Sequence, residues 1–72
     1  MENSQPAKST IGQRIKKLRI EKGLTQEALA RKAEISYATL VKIEGDAVEN
    51  PSINTVKRIA VGLEISVDEL IS

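Results

Sequence analysis

A short pattern occurs three times in this chain and marks where helices begin. In each copy a serine or threonine follows an aliphatic residue, and a leucine stands four positions after that hydroxyl residue. The hydroxyl group can cap a helix start, while the aliphatic residue and the leucine pack against each other across the cap. The three copies are Leu24-Thr25 with Leu29, Ile35-Ser36 with Leu40, and Ile65-Ser66 with Leu70. The pattern predicts helices at about 26–33, 37–44 and 67–71.

Two further helices are predicted from capping residues and apolar spacing. Thr10 and Gln13 form a capping-box pair, and apolar residues recur after them at helical spacing, so a first helix should run to about Lys22 and end at Gly23. Another should begin after Pro51-Ser52. Its apolar stripe consists of Ile53, Val56, Ile59, Ala60 and Leu63. Residues 1–9 show no periodicity, which predicts a flexible tail followed by one folded domain at 10–72.

Composition favours helices and argues against catalysis. The chain has 72 residues, no cysteine, no histidine and a single aromatic residue, Tyr37. A domain of this size buries a modest core, and without disulfides or the usual zinc ligands it must be stabilised by aliphatic packing. Neither a nucleophile paired with a base nor a phosphate-binding glycine loop is evident. We therefore expect an all-α domain that is not an enzyme and needs neither metal nor cofactor.

Charge is divided unevenly along the chain. The formal net charge is +1, yet residues 1–33 contain eight Lys and Arg against three Glu, whereas residues 34–72 contain three against seven acidic residues. A basic half suits contact with phosphate, although two differently solvated faces would give the same pattern.

The sequence has neither a signal-peptide pattern nor an apolar run of about 18 residues. A cytoplasmic location without membrane contact is therefore expected.

Two charged residues lie on apolar helix stripes. Arg19 follows Ile15 by four positions, and Glu44 follows Leu40 by four. Because burial of an unpaired charge is unfavourable, we predict that Arg19 and Glu44 form an ion pair that joins the first helix to the end of the third. The alternative is two long side chains that reach solvent separately.

The segment Thr25 to Glu44 has the helix lengths of a helix-turn-helix, whose second helix enters the major groove of DNA. This spacing alone occurs in many helical bundles. The sequence GLTQEALARKAEISYATLVKIEG, however, resembles the lambdoid phage repressors and the small Xre-like regulators similar to them, including stand-alone controller proteins. The similarity extends from Ile11 to Ile71. It implies a compact five-helix fold and a homodimeric transcriptional regulator of the repressor type, encoded by a prokaryote or phage, that binds pseudo-palindromic operators in double-stranded DNA.

The resemblance also implies roles for single residues. Tyr37, Ala38 and Lys42 match the family's base-reading positions, and helical periodicity turns the same residues outward. Gln26 matches a position that contacts the DNA backbone, although a surface glutamine would look the same. The other residues expected at the backbone are Arg14 and Thr39, which match family positions, together with Lys17, Ser36, Ser52 and Asn54. Packing for Thr39 and simple solvation for Lys17 remain alternatives.

Two features depart from the family pattern. Glu34 and Glu64 occupy helix ends where the family usually has glycine, so either left-handed strain is tolerated there or the turns are remodelled. The connection GDAVEN carries Asp46 and Glu49, which would repel phosphate where related repressors often have basic residues. This acidic loop and the acidic second half favour a rival function, a protein-interaction module such as an antitoxin or antirepressor partner.

The last helix is unusually apolar for its length. A symmetric dimer contact through this helix and the end of the preceding one would place two reading helices about 34 Å apart, one turn of DNA. The residues expected in that contact are Ile65, Val67, Leu70 and Ile71. The alternative is that they complete the core of the monomer.

Overall fold

The computed structural model describes residues 10–72, which form five α-helices and no strand. In chain order these are α1 (Ile11–Glu21), α2 (Gln26–Ala33), α3 (Tyr37–Glu44), α4 (Ile53–Leu63) and α5 (Val67–Ile71). The predicted all-α, five-helix fold is confirmed. The tail expected at 1–9 lies outside the described residues. None of the five helices is long and apolar enough to cross a membrane.

Each helix begins at a hydroxyl cap. The cap side chain accepts a hydrogen bond from the backbone amide three residues later, at 3.0–3.2 Å, and so satisfies one of the amides that a helix start leaves unpaired. The five caps are Thr10, Thr25, Ser36, Ser52 and Ser66. The helix starts in the described residues are therefore set by local chemistry that the sequence already displays.

The core draws side chains from all five helices. The leucines of the three repeated patterns, Leu29, Leu40 and Leu70, are completely buried. The same core contains Ile15 of α1 and Ile59 of α4. Helix α2 packs most extensively against α4, while α1 packs against α3 and α5. This packing holds α3 between α1 and α2, with one side in the core and the other in solvent.

The turns after α2 and α4 keep the left-handed backbone at a glutamate. Glu34 has φ +58° and Glu64 has φ +61°. In both turns the next residue, Ile35 or Ile65, donates its amide to the carbonyl oxygen five residues earlier at 3.0 Å. The turns are thus not remodelled. Each glutamate adopts the left-handed backbone that the family usually forms with glycine, a conformation that is strained for a residue with a Cβ atom.

Replacement of Glu34 by glycine is expected to stabilise the fold. Glycine adopts this backbone without the penalty of about 1–2 kcal/mol that a Cβ atom brings, although its freedom in the unfolded chain offsets part of the gain. We expect Glu34→Gly to raise the free energy of unfolding by about 1 kcal/mol in urea denaturation. Gly23→Ala is the matched control, because Gly23 has φ +74° and open space around it, so this change should destabilise. Equal or lower stability of Glu34→Gly would show that the turn is not strained.

Candidate nucleic-acid interface

Helix α3 divides cleanly into a buried and an exposed side. Leu40 and Ile43 are at most 1% exposed and anchor the helix in the core. The opposite side presents Tyr37, Ala38 and Lys42 to solvent, with Val41 between them. The three residues expected to read bases therefore share one accessible helix face. Val41, to which the sequence assigned no role, belongs to the same face.

The start of α3 carries two hydroxyl groups that bind each other. Ser36 Oγ accepts from the Thr39 amide at 3.0 Å and donates to Thr39 Oγ1 at 2.7 Å. Because Thr39 Oγ1 is the acceptor in this pair, its own proton remains available for another acceptor. Thr39 is half-buried, so it combines packing with an outward hydroxyl.

Gln26, the first residue of α2, is held by the end of α3. Its amide Nε2 donates to Glu44 Oε1 at 3.0 Å, which leaves the second amide hydrogen for a ligand. Glu44 is also bound by Arg19, whose Nε lies 2.8 Å from Glu44 Oε2 and whose Nη2 lies 3.2 Å from Oε1. The ion pair expected between Arg19 and Glu44 is present. It links α1, the start of α2 and the end of α3.

The ion pair between Arg19 and Glu44 is almost completely buried. The side chain of Glu44 is 3% exposed and that of Arg19 is 11% exposed. The third donor of Arg19, Nη1, binds the Leu24 carbonyl oxygen at 2.7 Å in the loop between α1 and α2. An arginine–carboxylate pair joined by two hydrogen bonds is strong and geometrically defined. We name Arg19, Gln26 and Glu44 the framework cluster.

Arg14 was expected to contact the DNA backbone, but its guanidinium is bound to the end of α5. Its Nε donates to the Leu70 carbonyl oxygen at 2.8 Å and its Nη2 to the Glu69 carbonyl oxygen at 2.7 Å. These are carbonyls at the end of α5, where a helix lacks internal donors and favours a positive charge. Arg14 therefore fastens α5 to α1. Lys17, in contrast, is exposed on the outer side of α1.

The acidic connection between α3 and α4 has a structural use for one of its carboxylates. Asp46 Oδ1 accepts from the Thr10 hydroxyl at 2.7 Å, beside the first turn of α1. A carboxylate at that place interacts favourably with the helix dipole. Asp46 is thus tied to α1 rather than projecting freely as a charge that repels phosphate. Glu49 is exposed, and so are Ser52 and Asn54 at the start of α4.

The residues expected at a dimer contact are buried to different degrees. Leu70 is completely buried, which corrects its assignment: it completes the core of the monomer and cannot reach a partner. The repeated cap pattern already explains this burial, because Leu70 packs at the start of its own helix. Ile65 and Val67 are half-buried against the core, and Ile71 is 57% exposed.

Known proteins share the helix-turn-helix described above. The profile of the helix-turn-helix family matches residues 15–70. The chain is 45% identical over 62 residues to the immunity repressor of Bacillus phage phi105, covering 86% of this chain and 42% of that protein. It is 41% identical over 61 residues to the transcriptional regulator SinR of Bacillus subtilis, covering 85% of this chain and 55% of SinR. The chain thus spans about half the length of these curated relatives.

Solved structures agree with the sequence matches. SinR in complex with DNA superposes with a TM-score of 0.80 at 41% identity, covering 85% of this chain and 97% of that one. The restriction-modification controller protein C.AhdI of Aeromonas hydrophila superposes with a TM-score of 0.78 at 33% identity, covering 85% of this chain and 91% of that one. With a family match over most of its length and helices in the same arrangement, the chain belongs to the Xre-like helix-turn-helix family.

Proposed function

We propose that this protein is a sequence-specific, double-stranded-DNA-binding transcriptional regulator that inserts α3 into the major groove. The observation that carries the proposal is the division of α3, whose core side is fixed by Leu40, Ile43 and Glu44 while its outer side is accessible. A helix held rigidly on one side and open on the other is the arrangement that reads base edges. A relative, SinR, has been solved in complex with DNA. The proposed role is that of a repressor in the cytoplasm of a bacterium or a phage-infected cell.

Three side chains would read bases. Lys42 can donate to the guanine O6 and N7 acceptors, and Ala38 can contact a thymine methyl group. Tyr37, which is 51% exposed, can contact a methyl group with its ring or bind phosphate through its hydroxyl. These assignments rest on the family positions and on the accessibility of the three side chains.

The backbone grip would come mainly from helix starts. Gln26 offers its second amide hydrogen at the start of α2, and Thr39 offers its hydroxyl beside the Ser36 cap of α3. Ser52 and Asn54 stand at the start of α4, and Lys17 adds a positive charge from α1. Helix starts combine unpaired amides with a favourable dipole for phosphate. We leave Arg14 out of this set because its guanidinium is engaged by α5.

The proposed active form is a homodimer that places two copies of α3 on successive major grooves. With Leu70 in the monomer core, the contact would involve Ile71 and the accessible parts of Ile65 and Val67. The two reading helices would then lie about 34 Å apart, which requires a pseudo-palindromic site.

A protein-interaction module is the second candidate. A structure of the relative SinR contains the SinI protein as its partner. In this chain the acidic residues of the second half, including the exposed Glu49, could serve such a contact. The two functions differ in their ligand, so a direct test of DNA binding separates them.

Selection of bound duplexes from a random library tests the proposal. We expect a pseudo-palindromic sequence to be enriched, and its affinity to fall steeply as salt rises, because phosphate contacts release counterions. Lys42→Ala should weaken binding to that duplex by about tenfold or more, the effect of losing one base contact. Lys57→Ala, a change at an exposed lysine of α4 outside the proposed interface, should bind as the unmodified protein does. Recovery of no duplex would reject DNA binding and leave the protein-interaction module.

A further inference from the structure

The exposed face of α3 offers little hydrogen-bonding capacity. Tyr37 is 51% exposed and Val41 is 36% exposed, and Ala38 lies beside them. Lys42 is the only charged residue on that face. The Ser36 hydroxyl donates to Thr39 Oγ1 at 2.7 Å, which leaves the Thr39 proton and the Tyr37 hydroxyl as the further polar groups at this surface. Direct hydrogen bonds to base edges therefore have few donors or acceptors on this helix.

The apolar side chains form one continuous strip. At about 100° per residue, Val41 projects between Tyr37, one turn before it, and Ala38. Lys42 lies at the border of this strip. We name Tyr37, Ala38 and Val41 the apolar strip. Its side chains are accessible because the anchoring leucine and isoleucine lie on the opposite side of α3.

The major groove displays one apolar group of its own. This is the C5-methyl group of thymine, and all other identifying groups there are hydrogen-bond donors or acceptors. A methyl group at the same position occurs in 5-methylcytosine. An apolar strip and a base methyl group are complementary because their contact removes both from water.

We infer that α3 recognises its target largely through pyrimidine C5-methyl groups, with Val41 as a further specificity-determining residue. The inference rests on the proposed function and adds the chemical group that is read. Val41 has the largest aliphatic side chain on the exposed face of α3. It is not among the side chains that pack against the core. Affinity should therefore depend on base methylation in a way that Lys42 alone would not produce.

The experiment uses the duplex selected from the random library, with each thymine replaced singly by deoxyuridine. This replacement removes the methyl group and keeps the base pair. We expect a loss of about fourfold in affinity for each contacted methyl group, equivalent to one buried carbon. At the most sensitive position, a duplex with 5-methylcytosine should bind the protein more tightly than a duplex with cytosine.

Val41→Ser ties the effect to this side chain. The variant should bind the thymine duplex more weakly, and at the sensitive position it should no longer distinguish thymine from deoxyuridine. Ile20→Ser is the matched control, because Ile20 is an aliphatic residue of α1 that is 58% exposed and is not part of the apolar strip. The control should retain the full preference for thymine, and thermal melts should show both variants folded.

The outcomes separate the two proposals. Recovery of no duplex rejects the proposed function, and this inference with it. A duplex bound equally well with thymine or deoxyuridine at every position keeps DNA binding and overturns methyl recognition. A methyl preference that survives Val41→Ser unchanged overturns the role of Val41.

Discussion

Replacement of Glu44 by alanine should lower the free energy of unfolding by about 3–5 kcal/mol, because it leaves the Arg19 guanidinium nearly buried without its counterion. The carboxylate accepts three hydrogen bonds, two from Arg19 and one from Gln26. For a domain of 72 residues this loss is a large part of the total stability. Urea denaturation followed by circular dichroism measures the change.

The control for this prediction is Glu49→Ala. Glu49 is an exposed acidic residue, so its removal changes the net charge equally and should alter stability by less than about 0.5 kcal/mol. Arg19→Ala should be about as damaging as Glu44→Ala, and the double variant should lose less than the sum of the two. Additive losses would mean that the two side chains do not stabilise each other, despite their 2.8 Å contact.

Replacement of Gly12 by alanine is the second change with a large expected effect. A Cβ atom at Gly12 would overlap the Ile43 carbonyl oxygen and would lie 2.8 Å from Asp46 Oδ1. Gly to Ala within a helix ordinarily stabilises by about 0.5–1 kcal/mol. Here α1 must move away from the end of α3, and we expect a net loss of about 2–3 kcal/mol in the free energy of unfolding.

Gly62→Ala provides a graded comparison at a second helix contact. Its Cβ atom would meet Leu29 Cδ1 at 2.9 Å and the Ala33 amide nitrogen at 3.0 Å, so α4 is also close to its neighbour α2. A flexible leucine end can shift, whereas the carbonyl oxygen facing Gly12 is fixed by the helix. The loss should therefore be smaller than at Gly12. Stabilisation by Gly12→Ala would show that α1 and α3 are not in such close contact.

Local signals in the sequence were sufficient to predict the helices. A cap and its staple involve residues within five positions of one another, so Thr25 with Leu29 or Ser36 with Leu40 are visible without knowledge of the fold. The Arg19–Glu44 pair was also predictable, because opposite charges on two buried stripes have few other partners. The accessibility of Tyr37, Ala38 and Lys42 follows from the same periodicity.

Contacts to distant backbone atoms were not predictable in this way. Arg14 binds carbonyl oxygens more than 50 positions along the chain, and every residue carries such an oxygen, so the sequence does not mark which ones accept. The contact between Asp46 and Thr10 depends likewise on how α3 approaches α1. Burial of Leu70 was indicated by the cap pattern that it shares with Leu29 and Leu40, whereas the apolar content of α5 suits either a core or an interface.

The framework cluster has a consequence for how this protein can change over time. Because Leu40 and Ile43 hold the inner side of α3 and the framework cluster holds its end, the outer residues carry little of the stability. Under the proposed function, substitutions at Tyr37, Ala38, Val41 and Lys42 would alter the preferred DNA sequence while the domain stays folded. A few such substitutions would then suffice for a new DNA preference, because the residues that hold the fold and those that read the bases are different ones.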